Sequence, residues 1–255
     1  MDLKSSAPGP ARALARRVLP LAVRHRLLMW KERLSTWPPA GAVRFGSLRR
    51  VTPVSRKFGF GRGQSIDRYY IENFLARQAG DIRGRVLEIG DAAYTRRFGD
   101  GRVTASDVLH VAPGNPEATI VGDLTRGEAL PSEAFDCVVC IQTLQYIYEV
   151  QAAVRSLHRL LAPGGVALVS LPGIGQISRY DWERWGEHWR FTTMSARRLF
   201  GDVFGASNIQ VEASGNVLSS VALLHGLSAG ELRREELDRH DEEYQLSVLV
   251  RAVKA

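Results

Sequence analysis

The sequence predicts a doubly wound α/β fold, a mostly parallel seven-stranded sheet with helices on both faces. The apolar segment 85–89 ends in an acid and a glycine, and lone acids, Asp107 and Asp123, accompany two further apolar segments. The segment 149–161 carries apolar residues at helical spacing and stops at a Pro-Gly turn before another apolar segment. Strands that alternate with helices in this way form parallel sheets that are covered on both faces.

Seven short apolar segments are predicted as strands, and four segments with helical periodicity are predicted as helices. The predicted strands are 85–89, 103–106, 118–121, 135–141, 166–171, 208–212 and 244–253. The predicted helices are 65–78, 149–161, 195–203 and 217–239. We expect residues 1–63 to form a partly helical extension and linker, and residues 64–255 to form the domain.

The composition suits one intracellular α/β domain with an extension. A chain of 255 residues, 45% hydrophobic and 24% charged, can bury a full core. Cys137 and Cys140 lie in one predicted strand and, three residues apart, point to opposite faces, so we expect core residues rather than a redox pair or metal site. The apolar stretch 18–30 is broken by a proline and two arginines. The sequence thus predicts a cytoplasmic protein with neither a membrane span nor a secretory leader.

The basic charge of the chain lies in its N-terminal extension. Residues 1–62 hold 14 Lys and Arg against two acids, a net charge of +12, whereas the remainder has a net charge of −5. Apolar residues recur among the arginines of 11–34, which predicts an amphipathic helix. Such a helix suits a peripheral membrane contact, an anionic partner or packing on its own domain, and these alternatives stay open. The domain itself is net acidic, so a nucleic-acid partner is not expected.

The turn after the first predicted strand indicates a cationic ligand rather than a dinucleotide. A pyrophosphate site needs G-x-G-x-x-G, since its glycines let the phosphates approach a helix N-terminus. Here the turn reads Gly-Asp-Ala-Ala-Tyr at 90–94, with one glycine and an added acid that would repel a pyrophosphate. The strand-end acids favour a cationic ligand that carries a ribose.

These residues resemble the class I S-adenosylmethionine-dependent methyltransferases, most closely the type 11 methyltransferase-domain group that acts on small molecules and glycans. The motifs are LEIG at 87–90, the acids at 107 and 123, FDCVVCIQTLQYI at 135–147 and LLAPGG at 160–165. The resemblance covers about 67–254. It implies a Rossmann-like fold, S-adenosyl-L-methionine as cofactor and methyl transfer as the reaction.

The resemblance also implies a set of cofactor-binding residues. They are Glu88, Gly90, Asp91, Tyr94, Asp107, Val108, Asp123, Leu124 and Gln142. Asp107 would accept hydrogen bonds from the ribose hydroxyls, Asp123 would bind the adenine amino group, and Gln142 would lie near the sulfonium. Family members carry two further glycines where this chain has Ala92 and Tyr94, so we expect a variant first loop with Tyr94 beside the cofactor.

The acceptor is expected to bind the aromatic segment 172–195. The candidate acceptor-binding residues are Tyr180, Trp182, Trp185, Trp189 and Arg190. Within it, the run 186–192 resembles a motif of methyltransferases from glycan and polysaccharide pathways. The segment 142–145 lacks an Asn/Asp-Pro-Pro-aromatic run, which disfavours methylation of base amines.

His188 is the predicted general base and His110 the second candidate, because imidazoles ordinarily titrate near neutral pH. The leading hypothesis is O-methylation of a hydroxyl on a small molecule, glycan or other biosynthetic product. Two alternatives stay open: methylation of a carboxylate or peptide end, and a non-catalytic binding module that has lost its cofactor.

Overall fold

In the computed structural model, the chain is described over residues 37–255 and at positions 20, 22–23, 26 and 29–30. The chain divides into two units, Met1–Val51 and Thr52–Ala255. In the first unit a short 3-10 turn covers Gly46–Leu48. Positions 22–23, 26 and 29–30 are helical, and the rest of the predicted helix 11–34, apart from Pro20, lies outside the described residues. None of the described helices is long and apolar enough to cross a membrane.

The second unit contains a seven-stranded sheet in the order β3-β2-β1-β4-β5-β7-β6, which confirms the predicted fold class. The strands are β1 (Gly84–Ile89), β2 (Val103–His110), β3 (Ile120–Val121), β4 (Phe135–Ile141), β5 (Leu161–Pro172), β6 (Ile209–Ser214) and β7 (Ser247–Val253). β7 runs antiparallel to both neighbours, and the other pairs are parallel. The carboxyl ends of β1, β2 and β4 therefore meet at one edge.

Seven α-helices surround the sheet in the described part of the chain. They are α1 (Ile66–Arg77), α2 (Ala93–Phe98), α3 (Val150–Leu160), α4 (Arg179–Trp185), α5 (Thr193–Phe204), α6 (Val217–Leu224) and α7 (Arg234–Asp238). The predicted helix 217–239 is two helices, because Gly226 adopts a φ of +68° after α6 and so ends it. The sequence did not predict α2 and α4, which are too short for a periodicity signal.

The core has one layer on each face of the sheet. On one face Leu157 of α3 and Phe200 of α5 pack against the strands, and on the other Phe74 of α1 does so. Cys137 and Cys140 are fully buried and belong to opposite layers, which confirms their predicted core role. Burial raises the pKa of both thiols, so neither is a ready nucleophile.

The segment 52–63, which was expected to be part of a linker, packs within the second unit. The backbone N–H groups of Val54 and Ser55 both donate to the carbonyl oxygen of His225. An added Cβ at Gly59 would lie 2.4 Å from the carbonyl oxygen of Leu227, so the two segments are in close backbone contact. The unit therefore begins before the expected boundary at residue 64.

Candidate active site

The strand ends border a cavity of about 500 Å³, which we call the larger cavity. Its volume is in the range of small-molecule and cofactor sites. Seven of the predicted site residues line it: Gly90, His110, Asp123, Leu124, Gln142, Trp185 and His188.

Gly90 forms the turn at the end of β1. Its φ is +95°, a conformation that side chains rarely adopt, and an added Cβ would meet no atom within 4 Å. Its N–H donates to the carbonyl oxygen of Leu109 at 3.0 Å, and its own carbonyl oxygen accepts from Nδ2 of Asn115 at 2.6 Å. The turn is thus fixed, and a ligand can approach its backbone closely.

Glu88 and Asp91 shape the first loop and lie outside the lining of the larger cavity, and their contact with the cofactor stays a prediction. The buried carboxylate of Glu88 accepts hydrogen bonds from the N–H groups of Tyr94 at 3.1 Å and Thr95 at 2.7 Å. Burial raises the pKa of Glu88, although these donors oppose the shift. Asp91 accepts from the N–H of Ala93 at 2.8 Å and so forms an Asx turn that leads into α2.

Tyr94 is helical and is not among the residues that line the larger cavity, so its place beside the cofactor stays a prediction. It is the second residue of α2, and within the loop 90–94 only Gly90 has a positive φ. The loop takes a variant path, and tyrosine therefore causes no backbone strain there. The ring stacks on Phe98 at 6.2 Å, and its Oη accepts from Nη1 of Arg68 at 2.6 Å.

Asp107 and Val108 do not reach the strand end either, because β2 continues four residues beyond its predicted end at Ser106. Asp107 pairs with Leu87 in the middle of β1. Its carboxylate accepts from Nε of Arg85 at 2.8 Å and from Oγ1 of Thr119 at 2.8 Å. Val108 is buried, and neither residue lines the larger cavity. The register corrects the expected strand end, and the contacts of both residues with the cofactor stay predictions.

His110 instead supplies the side chain at the end of β2. Its Nδ1 lies 2.7 Å from the carbonyl oxygen of Ala112. The N–H of Ala112 also lies 3.3 Å from Nδ1, but the carbonyl contact is the shorter one, and a carbonyl can only accept. The geometry therefore favours the tautomer with the proton on Nδ1, in which Nε2 is an acceptor. The ring meets Trp185 edge-on at 5.9 Å. His110 can therefore accept a hydrogen bond from a hydroxyl in the larger cavity.

The register of β2 gives a testable difference between His110 and Asp107. We expect His110→Ala to weaken S-adenosylmethionine binding about tenfold, the equivalent of roughly 1.4 kcal/mol, because a hydroxyl loses its acceptor. Asp107→Asn should leave that affinity unchanged. Calorimetric titration of both variants measures the difference, and the reverse pattern would restore Asp107 as the ribose ligand.

The same Asp107→Asn variant should lose about 0.5 kcal/mol of stability at neutral pH, because its ion pair with Arg85 is partly exposed. Although partial burial opposes the shift, the hydrogen bonds from Arg85 and Thr119 hold the pKa of Asp107 below its ordinary value of 3.8. The advantage of the wild type is therefore present above about pH 4 and declines as the pH falls through the folded-state pKa. Urea unfolding of both proteins across pH measures this trend.

Asp123 and Leu124 lie together on the wall of the larger cavity. Asp123 accepts from the N–H of Thr125 at 2.8 Å and caps the 3-10 turn that follows. Leu124 is buried beside it. A carboxylate next to an apolar side chain suits the adenine edge and face that the sequence predicts for this pair.

Gln142 directly follows the last residue of β4 and has a strained backbone conformation. Its φ is +49°, and such non-glycine residues concentrate at functional sites. Its N–H donates to Oγ of Ser170 at 3.0 Å, and its Oε1 accepts from Nε2 of Gln145 at 3.1 Å. Gln142 lines the larger cavity and also a second one.

The second cavity, the smaller cavity, has a volume of about 160 Å³ and adjoins the larger one. Gln142, Tyr146 and Asp181 line both. Asp181 accepts on Oδ2 from Tyr146 Oη at 3.2 Å and from Ser178 Oγ at 2.5 Å, and in the described part of the chain Oδ1 accepts no hydrogen bond. Burial and the nearby carboxylate raise the pKa of Tyr146, so its hydroxyl stays a donor. These three residues form the junction of the cavities.

Sequence reasoning missed Arg68, Tyr146 and Asp181 as site residues. Arg68 is on α1, lines the smaller cavity and donates to Tyr94. Tyr146 lies inside the motif at 135–147, but its partner Asp181 sits on α4, which the sequence did not predict. Only the tertiary structure brings these segments together.

Some residues of the aromatic segment 172–195 line the larger cavity, and others are exposed on the surface. Trp185 and His188 line the larger cavity, and His188 meets the ring of Tyr148 edge-on at 5.4 Å. Tyr180 is 64% exposed beneath the guanidinium of Arg184.

Three of the predicted acceptor-binding residues, Tyr180, Trp182 and Trp189, line neither cavity, so their contact with the acceptor stays a prediction. Trp182 is exposed on the short helix α4. Trp189 donates from Nε1 to the carbonyl oxygen of Ile147 at 3.0 Å, and its ring stacks on the ring of Tyr148. These two contacts engage its indole N–H and its ring. Arg190 does line the smaller cavity, where its Nη1 pairs with Glu187 at 2.6 Å.

The lining of the larger cavity fits a cationic nucleoside such as S-adenosylmethionine. It carries three carboxylates, Asp123, Glu149 and Asp181, and no Lys or Arg among the described residues. It also has open space over Gly90 and an apolar wall that includes Leu124 and Ile147. Acids favour a sulfonium and disfavour a pyrophosphate, in agreement with the sequence prediction.

A family model described as a methyltransferase domain matches residues 64–212, more than half of the chain. The chain belongs to this family. Its domain is that of an S-adenosylmethionine-dependent methyltransferase, as the motifs at 87–90 and 160–165 predict. The strand ends that line the larger cavity lie within the matched region.

A curated relative is the ubiquinone biosynthesis O-methyltransferase of Psychrobacter cryohalolentis, 27% identical over 154 residues. The match covers 52% of this chain and 57% of that relative, so it spans less than two thirds of the relative's length.

Solved structures of similar fold come from several organisms. A methyltransferase from Archaeoglobus fulgidus has 10% identity and a TM-score of 0.49, with 73% of this chain and 94% of that chain covered. The N-methyltransferase NodS from Bradyrhizobium japonicum, in complex with S-adenosyl-L-homocysteine, has 13% identity and a TM-score of 0.47, with 79% and 94% covered. These similarities do not bear on the acceptor.

Proposed function

We propose that this methyltransferase methylates a hydroxyl oxygen of a small molecule or glycan. The observation that carries the proposal is the junction, where Asp181 lines two adjoining cavities and its Oδ1 accepts no hydrogen bond from the described residues. One cavity suits the cofactor and the other an acceptor. The name of the Psychrobacter relative, an O-methyltransferase, supports the same reaction type.

Residues around the larger cavity would hold the cofactor, which supplies an electrophilic methyl group when it is bound. Asp123 and Leu124 would bind the adenine, and Nε2 of His110 would accept from a ribose hydroxyl. The open backbone of Gly90 would admit the methionine part. Arg68, which lines the adjoining smaller cavity, would pair with the methionine carboxylate, since a guanidinium suits a carboxylate well.

Asp181 is the proposed proton acceptor, because methylation of a hydroxyl requires loss of its proton. Its carboxylate is fixed by Tyr146 and Ser178 and lines both cavities, so it can hold an acceptor hydroxyl and receive its proton. His188, which the sequence predicts as the base, lines the larger cavity only. Trp185 and His110 would close that cavity from water.

The reaction type can be tested with matched acceptors that share one ring and differ in a hydroxyl, an amine or a carboxylate. We expect the label of methyl-labelled S-adenosylmethionine to appear on the hydroxyl oxygen, as mass spectrometry of the products would show. Transfer to the carboxylate would support the carboxylate or peptide-end alternative instead. Transfer to the amine would contradict the proposal.

A further inference from the structure

We propose that the smaller cavity binds the acceptor as one hydroxylated six-membered ring, a pyranose or a cyclitol unit. This inference rests on the proposed function and names the acceptor's chemical class. Three observations carry it: the volume of the cavity, its unpaired hydrogen-bond acceptors, and the state of its charged groups.

The volume admits one ring. The smaller cavity measures about 160 Å³, and a cavity of about 150 Å³ in a protein interior accommodates benzene. Pro172, Ile174 and Leu246 give it an apolar wall, and Phe60, 56% exposed, borders both the cavity and solvent. Such surfaces suit the apolar face of a sugar ring, which stacks on aromatic and aliphatic side chains.

Three polar atoms of the lining residues are buried without a hydrogen-bond partner in the described part of the chain. They are Oε1 of Gln145, Oε1 of Gln176 and Oγ of Ser247. Gln145 is 2% exposed and Ser247 is fully buried. Buried polar groups are nearly always paired, and an amide oxygen can only accept. Hydrogen-bond donors of a ligand in the cavity, such as those of a polyhydroxylated ring, would supply partners for these atoms.

Of the two arginines that line the cavity, Arg68 donates to Tyr94 and is the residue proposed above for the methionine carboxylate. The remaining charged groups do not suit an anion. Arg190 is already engaged by Glu187, whose side chain is 4% exposed, and by the carbonyl oxygens of Gln176 at 2.8 Å and Trp189 at 3.0 Å. The carboxylates of Asp67 and Asp181 also line the cavity and add acceptors. A neutral ring with several hydroxyls satisfies these groups without an unpaired charge.

The junction would place one hydroxyl of this ring at Asp181, the proposed proton acceptor. Gln142, Tyr146 and Asp181 separate the two cavities and belong to both linings, so a ring in the smaller cavity can present one hydroxyl at Asp181. The remaining hydroxyls would meet Gln145, Gln176 and Ser247. The same side chains would thereby select the ring and orient it.

Ligand-observed NMR on the full chain tests the proposal without turnover. The probes are methyl α-D-glucopyranoside and myo-inositol, with cyclohexanol as the apolar ring and glucuronate as the anionic ring. We expect saturation transfer to at least one of the two polyols and weaker transfer to cyclohexanol and glucuronate. Which polyol binds separates a pyranose from a cyclitol acceptor.

A second measurement uses variants of Gln145 and Gln176, whose amide oxygens have no hydrogen-bond partner among the described residues. Gln176→Met and Gln145→Met should weaken polyol binding about three- to tenfold, since each removes one buried acceptor. Gln210→Met, at an exposed position of β6, is the matched control and should change nothing. Thermal unfolding and titration with S-adenosylhomocysteine verify that each variant is folded.

The outcomes separate this inference from the proposed function. If the wild type binds S-adenosylhomocysteine but neither polyol, or prefers cyclohexanol or glucuronate, the ring proposal is overturned while the methyltransferase account stands. If both amide variants bind polyols as well as the Gln210 control does, the ring lies elsewhere. Failure to bind S-adenosylhomocysteine would instead count against the proposed function.

Discussion

Gly90→Ala is expected to reduce S-adenosylmethionine binding by at least about tenfold, or roughly 1.4 kcal/mol. The φ of Gly90 is +95°, and its added Cβ would project into open space beside the larger cavity. The substitution is expected to affect stability and cofactor binding separately. The left-handed backbone should lower the free energy of unfolding by about 1–2 kcal/mol, and the methyl group should occupy space that the methionine part needs. Calorimetric titration and urea unfolding measure these effects separately.

Gly114→Ala is the matched control for this prediction. Gly114 has a φ of +107°, its added Cβ would also meet no atom within 4 Å, and it lines neither cavity. We expect a similar loss of stability with unchanged affinity for S-adenosylmethionine. Equal losses of affinity in both variants would show that backbone strain, rather than the position of Gly90 at the cofactor, causes the effect.

Asp181→Asn is expected to lower kcat on a hydroxyl acceptor by about 10²–10⁴-fold, the usual contribution of a general base. Asparagine can still accept from Tyr146 and Ser178 through its side-chain oxygen, so the junction should keep its geometry. It cannot take a proton. The loss should therefore fall on kcat, with the KM for the acceptor little changed, which a merely structural role would not cause.

Two comparisons make the Asp181 result decisive. Asp202→Asn, at an exposed carboxylate on α5, should leave kcat unchanged. His188→Ala should reduce kcat much less than Asp181→Asn does. A larger loss in the His188 variant, with kcat nearly unchanged in Asp181→Asn, would return the role of base to the histidine that the sequence predicts.

The fold was largely predictable because its signals are local. Turn residues separate apolar segments of strand length, and one segment between them, α3, has a strong helical periodicity. The class of the sheet and the number of its strands therefore follow from the sequence pattern alone. The ends of elements were less predictable. The predicted helix 217–239 divides at Gly226 because that residue adopts a left-handed conformation, which the apolar periodicity on either side conceals.

The site was only partly predictable because strand register is a tertiary property. An acid at Asp107 looks like a strand end in the sequence, but Val108 and Leu109 extend β2 and bring His110 to the edge instead. The junction was hidden for another reason. Tyr146 and Asp181 lie on segments far apart in the chain, and nothing in their spacing links them.

Titration of the folded full chain with S-adenosylmethionine tests the central claim most directly, that the strand-end cavity binds this cofactor despite its single glycine. We expect saturable binding of one molecule per chain, weakened by His110→Ala and not by Asp107→Asn, with no competition from NAD. Absence of binding by a folded sample, or displacement of the cofactor by NAD, would contradict it.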